Sequence, residues 1–171
     1  MTQQMNTTLQ TWLDAIDQYS DDQFAAKPND SAWSVGQVYE HLVTGTNRFF
    51  IAKINECLND PQNEEERPTE MAQGVLATGS LPPIKIKGNP NAPQPVQPTT
   101  QEMKIRLHEL RTQLAELGQK VVSTDSKGRA GHPTFGFMDA KEWFQYSEMH
   151  FRHHLRQKEA LNTWLAGGEY V

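Results

Sequence analysis

The stretch EMHFRHHLRQ, residues 148–157, places His150, His153 and His154, three of the chain's six histidines, within five positions. Imidazole is the side chain that titrates nearest neutrality, and in its neutral form it is a good ligand for transition metals. His150 and His154 are four residues apart, so on a helix they project about 40° from one another and face nearly the same way. Two readings of the pair stand side by side. In a closed core each ring needs hydrogen-bond partners, because an unpaired buried polar group costs about 1–3 kcal/mol. Facing a cavity, the same two rings can hold a divalent ion, a known use of His pairs at this spacing. A third donor would change the balance. His41 can supply it, lying at the margin of an apolar helix side near Val38 and Gly45. His108, off the apolar seam of its segment, is expected in water, and His132, in the loop GHPTFG, is expected to make a structural hydrogen bond.

These rings need elements to position them. Trp143, Tyr146, Ser147, His150, His154, Gln157, Leu161 and Trp164 share one side of a helix. It starts at a capping box of Asp139 and Glu142, with Met138 able to staple to Trp143, and closes at Gly167 or Gly168. His41 belongs to a helix that begins at a box of Ser34 and Gln37, with Trp33 and Val38 as the staple, and runs on through Leu42, Phe49 and Phe50 towards Cys57 and Leu58. Gly45, one turn after His41, is a poor interior helix former; a close neighbour, a bound ligand or chance would account for it.

Two more helices complete the frame. One spans about residues 5–20, with Leu9, Trp12, Leu13, Ile16 and Tyr19 at helical spacing, and stops near SDDQFAAKPND. The other starts at a box of Thr99 and Glu102, and its seam of Met103, Leu107, Leu110, Leu114, Leu117 and Val121 alternates four and three apart, ending in STDSKGRAGHP. Residues 59–100 differ: NDPQNEEERP is acidic and turn-rich, LPPIKIKGNPNAPQPVQP is proline-rich, and a short helix, TEMAQGVLA, lies between them. Long segments of this kind serve as lids or binding loops or are plain linkers, and both readings stay open. PIKIKG is the only strand candidate. The prediction is an all-α chain, a four-helix bundle with a long crossover loop between helices 2 and 3, in one domain over residues 1–171.

Composition bounds the function. The 171 residues carry 21 acidic and 16 basic side chains, a formal net charge of -5, and no long Lys/Arg block, which argues against a nucleic-acid partner. Apolar residues make up 36% and mean hydropathy is -0.71, so the core is modest and the loops polar. The one cysteine, Cys57, allows no intramolecular disulfide, and the first residues are neither basic nor apolar enough for a signal peptide. No apolar run has the length of a membrane span. The expectation is a cytoplasmic protein with no membrane partner.

WSVGQVYEHL, residues 33–42, resembles the second-helix motif of the DinB-like (YfiT-type) metalloenzymes. GHPTFGFMDAKEWFQYSEMHFRHHLRQ, residues 131–157, resembles their last-helix motif, an HP-aromatic-G loop followed by a helix ending in H-x-x-H-H-x-x-Q. Either motif alone is weak; the pair, in this order among four helices, is fairly specific. The resemblance implies that His41, His150 and His154 hold a metal and that His153 stands outside the ligand set. It also implies a homodimer and relatives that are transferases or isomerases using low-molecular-weight thiols such as bacillithiol, mycothiol or glutathione. Residues 59–100 have no family feature that aligns.

Three neutral imidazoles leave an ion's charge uncancelled and coordination positions open, as catalytic sites do. Such an ion lowers the pKa of bound water to about 7 when it is zinc, and a thiol loses its proton more readily still. Zinc is the first expectation for the ion, with nickel or iron as alternatives, since imidazole suits all three. A gluzincin-type peptidase is excluded, because H-E-x-x-H needs Glu where Phe151 stands. The absence of an adjacent carboxylate favours thiolate chemistry. The leading expectation is a thiol S-transferase acting on small electrophiles, with His153, Arg152 or Arg156 as helpers and Asp14, Asp17 or Glu40 as carboxylates that orient the ligands. Two alternatives remain: a metal-dependent hydrolase of a small ester or amide, and a non-catalytic, stress-linked metal-binding helical module.

Overall fold

Three capping boxes read from the sequence start three helices of the protein. In the computed structural model, which describes residues 2–59, 61–82 and 93–170, Ser34, Thr99 and Asp139 each accept a hydrogen bond from the amide three residues on, while Gln37, Glu102 and Glu142 reach back to the cap amide. Helix α1 is Thr2–Ile16, α2 is Asp21–Ala25 and α3 is Val35–Gly45. A π-helical turn, Thr46–Phe50, joins α3 to α4, Ile51–Asn59. Helix α5 is Glu70–Thr78, α6 is Thr100–Ser123 and α7 is Ala140–Leu165, with a hairpin of β1, Arg129–His132, and β2, Gly136–Asp139, before α7.

The chain is mainly helical, and α1, α3, α6 and α7 pack on one another around one core. Trp12, Tyr39, Trp143, Phe144 and Phe151 are at most 1% exposed. Each such aromatic removes about 150–250 Å² from water, roughly 4–6 kcal/mol before chain entropy is set against it. Trp12 and Tyr39 meet edge to face at 4.8 Å, and the Tyr39 hydroxyl donates to the Trp12 carbonyl at 2.7 Å. The α6 seam of Met103, Leu107, Leu110, Leu114, Leu117 and Val121 is buried throughout. At the end of α7, Gly167 takes φ +90°, and the amides of Gly167 and Gly168 close on the carbonyls of Trp164 and Thr163, a Schellman stop.

Several expectations are corrected. The first helix ends at Ile16 rather than near residue 20, because SDDQ is itself a capping box that starts α2 and buries Phe24. The second helix is interrupted by the π-helical turn. The β1–β2 hairpin stands where no strand was expected. Its four-residue strands are too short for alternation to register, and much of its support comes from outside itself. Arg129 donates its amide to the Gln62 carbonyl, Thr69 donates to the Phe135 carbonyl, and the Trp143 indole donates to the Ala130 carbonyl. Gly136 is required there: it has φ +72°, and a β-carbon would lie 2.9 Å from the Arg67 carbonyl oxygen. Part of the 59–100 segment is thus pinned to the hairpin, and the short helix expected in it is α5. The strand candidate PIKIKG falls at residues 83–88, outside the described residues.

Candidate metal centre

Helix α3 buries Val38, Tyr39 and Leu42, which leaves His41 at the edge of its packed face. Helix α7 buries Trp143, Ser147, Phe151 and Leu161, and α3 packs against it. The crossing brings the three rings together. His150 Nε2 lies 3.2 Å from His41 Nε2 and 3.2 Å from His154 Nε2. Among the described residues this trio is the group of His, Cys, Asp and Glu side chains placed to share an ion, with all ligand atoms within 4.8 Å of one another. Nitrogens bound side by side at about 2.1 Å to one ion would stand about 3.0–3.4 Å apart, and the two pairs that share His150 Nε2 have that spacing.

Proton bookkeeping points the same way. The Gln157 side-chain oxygen lies 2.9 Å from His154 Nδ1, so Nδ1–H donates and the neutral ring turns a lone pair on Nε2 towards the cluster. Without an ion the two contacts cannot both be ordinary hydrogen bonds, since His154 Nε2 has no proton to give: either His150 Nε2–H is shared between two nitrogens, or His41 Nε2–H goes to His150 and the His150 and His154 lone pairs face each other. An ion removes that shortage by accepting all three lone pairs. Among the described residues His150 Nδ1 is buried with no hydrogen-bond partner, so packing against Phe50, 5.3 Å between ring centroids, sets that ring's attitude. Trp33 covers the His41 ring at 5.1 Å and is held by its indole N–H to the Gln94 side chain at 2.7 Å.

The trio stays neutral at pH 7. Burial pushes His41 below the ordinary imidazole range. Burial first, then the neighbouring His154, His41 and His153, push His150 well below it. Burial, with His41 next and Gln157 opposing, holds His154 at about 4. Neutral imidazole is the form that ligates metals, and no proton has to leave first.

The other candidates lie elsewhere. His153 stands beside His154 with ring centroids 5.5 Å apart, and its Nδ1 contacts the Arg156 guanidinium at 2.7 Å. Arg152 faces away from the trio: its guanidinium donates to both Glu148 oxygens and, at 2.6 Å, to the Gly79 carbonyl. Arg156 also reaches the Pro82 carbonyl. The three carboxylates expected to orient the ligands do other work. Asp14 binds Gln10, Asp17 pairs with Lys104, and Glu40 is held by Arg106 and Thr44. His108 is exposed, and His132 Nδ1 accepts the amides of Thr134 and Phe135 at 3.1 Å each. The residue that does orient a ring is Gln157. Its place three residues after His154, on the same helix side, was the available signal, but an amide rather than a carboxylate in that role was not anticipated.

A family model described as the DinB superfamily matches residues 4–157, so the chain belongs to that superfamily. No curated protein matches the chain. Among the described residues no helix is long and apolar enough to cross a membrane.

Proposed function

We propose that this member of the DinB superfamily is a metal-dependent enzyme whose ion is held by His41, His150 and His154, and that it transfers a low-molecular-weight thiol to small electrophiles. The observation that carries the reading is the convergence of three neutral Nε2 atoms with no Asp, Glu or Cys among the described residues joining them. That donor set suits zinc, nickel or iron and leaves coordination positions for an exogenous ligand. When bound, such an ion would supply Lewis acidity that lowers the pKa of a thiol. His154 is held in its ligating tautomer by Gln157, and Trp33 shelters His41 from water. In the reaction proposed, the thiol sulfur bonds to the electrophilic carbon, the displaced group leaves with the bonding pair, and the thiol proton goes to solvent. That no carboxylate among the described residues joins the trio supports this over hydrolysis. The same reading takes α1, α3 with α4, α6 and α7 as a four-helix bundle in one domain, spanned by a long crossover and paired as a homodimer.

The test is conjugation of monochlorobimane by protein loaded with zinc or nickel, in the presence of bacillithiol, mycothiol or glutathione. Fluorescent thioether and chloride should form with at least one thiol and stop when a chelator strips the ion. No metal-dependent conjugation with any of them removes the transferase reading. Turnover of small esters without added thiol selects hydrolysis instead.

A further inference from the structure

Gly45 lies one helical turn beyond His41, and a β-carbon there would meet no atom of the described residues within 4 Å beyond its own turn of helix. Among the described residues no packed neighbour therefore explains the glycine, although its helical φ of -61° would suit any residue. The π-helical turn follows at once. Its wider turn lets two consecutive rings face α7, so that Phe49 and Phe50 both meet Trp143, at 5.4 and 6.2 Å. Phe49 stays 36% exposed, so its ring packs on Trp143 and Phe50 on one side and is open on the other. On the α7 side, Tyr146 is one turn before His150, and the rings step away from the cluster in order: His150 to Phe50 at 5.3 Å, Phe50 to Tyr146 at 5.2 Å, Tyr146 to His132 at 5.6 Å.

The far end of this row has two unused polar hydrogens. His132 Nδ1 accepts two backbone amides, so the neutral ring carries its proton on Nε2. Among the described residues neither that N–H nor the Tyr146 hydroxyl has a hydrogen-bond partner. Neither atom is among the buried unpaired ones, so both are open to a ligand or to water.

We infer that the space between α3 and α7, running from the three-His cluster past Gly45 to Tyr146 and His132, is the electrophile subsite. It takes a flat, apolar or aromatic body whose carbonyl or similar oxygen accepts hydrogen bonds from Tyr146 and His132. Gly45 keeps the trough open, and Phe49 and Phe50 supply its aromatic wall. The inference rests on the chemistry being at the three-His end, but occupancy of the trough needs no ion.

The test uses coumarin, a neutral flat carbonyl compound, titrated into the metal-free protein by ligand-observed NMR, with zinc stoichiometry measured separately. Gly45→Leu should weaken coumarin by about tenfold or more and leave zinc stoichiometry unchanged. Tyr146→Phe and His132→Asn should each weaken it by about three- to tenfold. The asparagine keeps an acceptor for the Thr134 and Phe135 amides, and the phenylalanine removes a hydroxyl that folding does not use. Weaker binding in Gly45→Leu together with at least one of the other two supports the subsite; any other pattern, including no coumarin binding by the wild type, overturns it. A protein that binds coumarin in this way but takes up no ion would retain the trough and lose the metal reading.

Discussion

Helix α7 carries two polar pairs at the same spacing, His150 with His154 and Glu148 with Arg152, on opposite sides of the helix, and they have opposite characters. Glu148 is 3% exposed, yet it is complete: the Arg152 guanidinium and the Thr8 hydroxyl, at 2.7 Å, satisfy both carboxylate oxygens. Arg152 spends its remaining reach on the Gly79 carbonyl. Nothing in that network asks for a ligand. The histidine side is incomplete. Three nitrogens meet with no proton on His154 Nε2 to share, and among the described residues the far nitrogen of His150 is buried unpaired and no carboxylate joins the trio. A closed polar network holds a fold together, whereas an open one of the same size is where an external group belongs.

The largest expected effect breaks the open side. His154→Ala should lower zinc affinity by more than about 100-fold, read by competition with a chromogenic chelator, because even outer partners of metal ligands are worth 10- to 100-fold. The same substitution should leave urea unfolding of the metal-free protein nearly unchanged. Breaking the closed side should do the reverse. Glu148→Ala strands the Arg152 and Thr8 donors and should cost about 1–3 kcal/mol of stability, with zinc affinity preserved. If Glu148→Ala weakened zinc as much as His154→Ala, the two sides of α7 would not be independent. A smaller effect sharpens the contrast: Gln157→Leu should lower zinc affinity by about tenfold, since His154 loses the acceptor that selects its tautomer.

The pH response follows from the same asymmetry. The folded metal-free protein keeps His154 neutral down to about 4, while an unfolded histidine titrates near 6.5. Between those values the unfolded chain binds the extra proton. The stability is therefore complete above the unfolded value and is lost as pH falls through the folded one. Thermal melts from pH 7 to pH 4 should show a falling Tm that becomes shallower in His154→Ala. The smallest effect is expected at the rim, where His153→Ala should leave zinc affinity within about twofold.

Much of this was legible in the residues, and what escaped has physical reasons. The boxes at Ser34, Thr99 and Asp139 are local chemistry within four residues, so sequence alone locates those helix starts, and the i, i+4 spacing of His150 and His154 puts them on one side with no knowledge of tertiary structure. Ser20 with Gln23 offers the same box, but Pro28, Asn29 and Asp30, which follow, read as a stop. The hairpin escaped because much of its support comes from the Gln62 carbonyl and the Thr69 amide, far back along the chain. The π-helical turn shifts register by one residue and leaves no compositional trace. Which polar group backs His154 depended on side-chain reach within one turn, and Gln157 reaches while Asp14, Asp17 and Glu40 are engaged by Gln10, Lys104 and Arg106.

The most direct test of the three-His centre is elemental analysis of protein purified without a histidine tag, set against the His154→Ala variant prepared in parallel. The account predicts about one divalent transition-metal ion per wild-type chain and little in the variant. A wild type that takes up no ion even when zinc, nickel and iron are supplied, or a variant that holds its ion as firmly as the wild type, would contradict it.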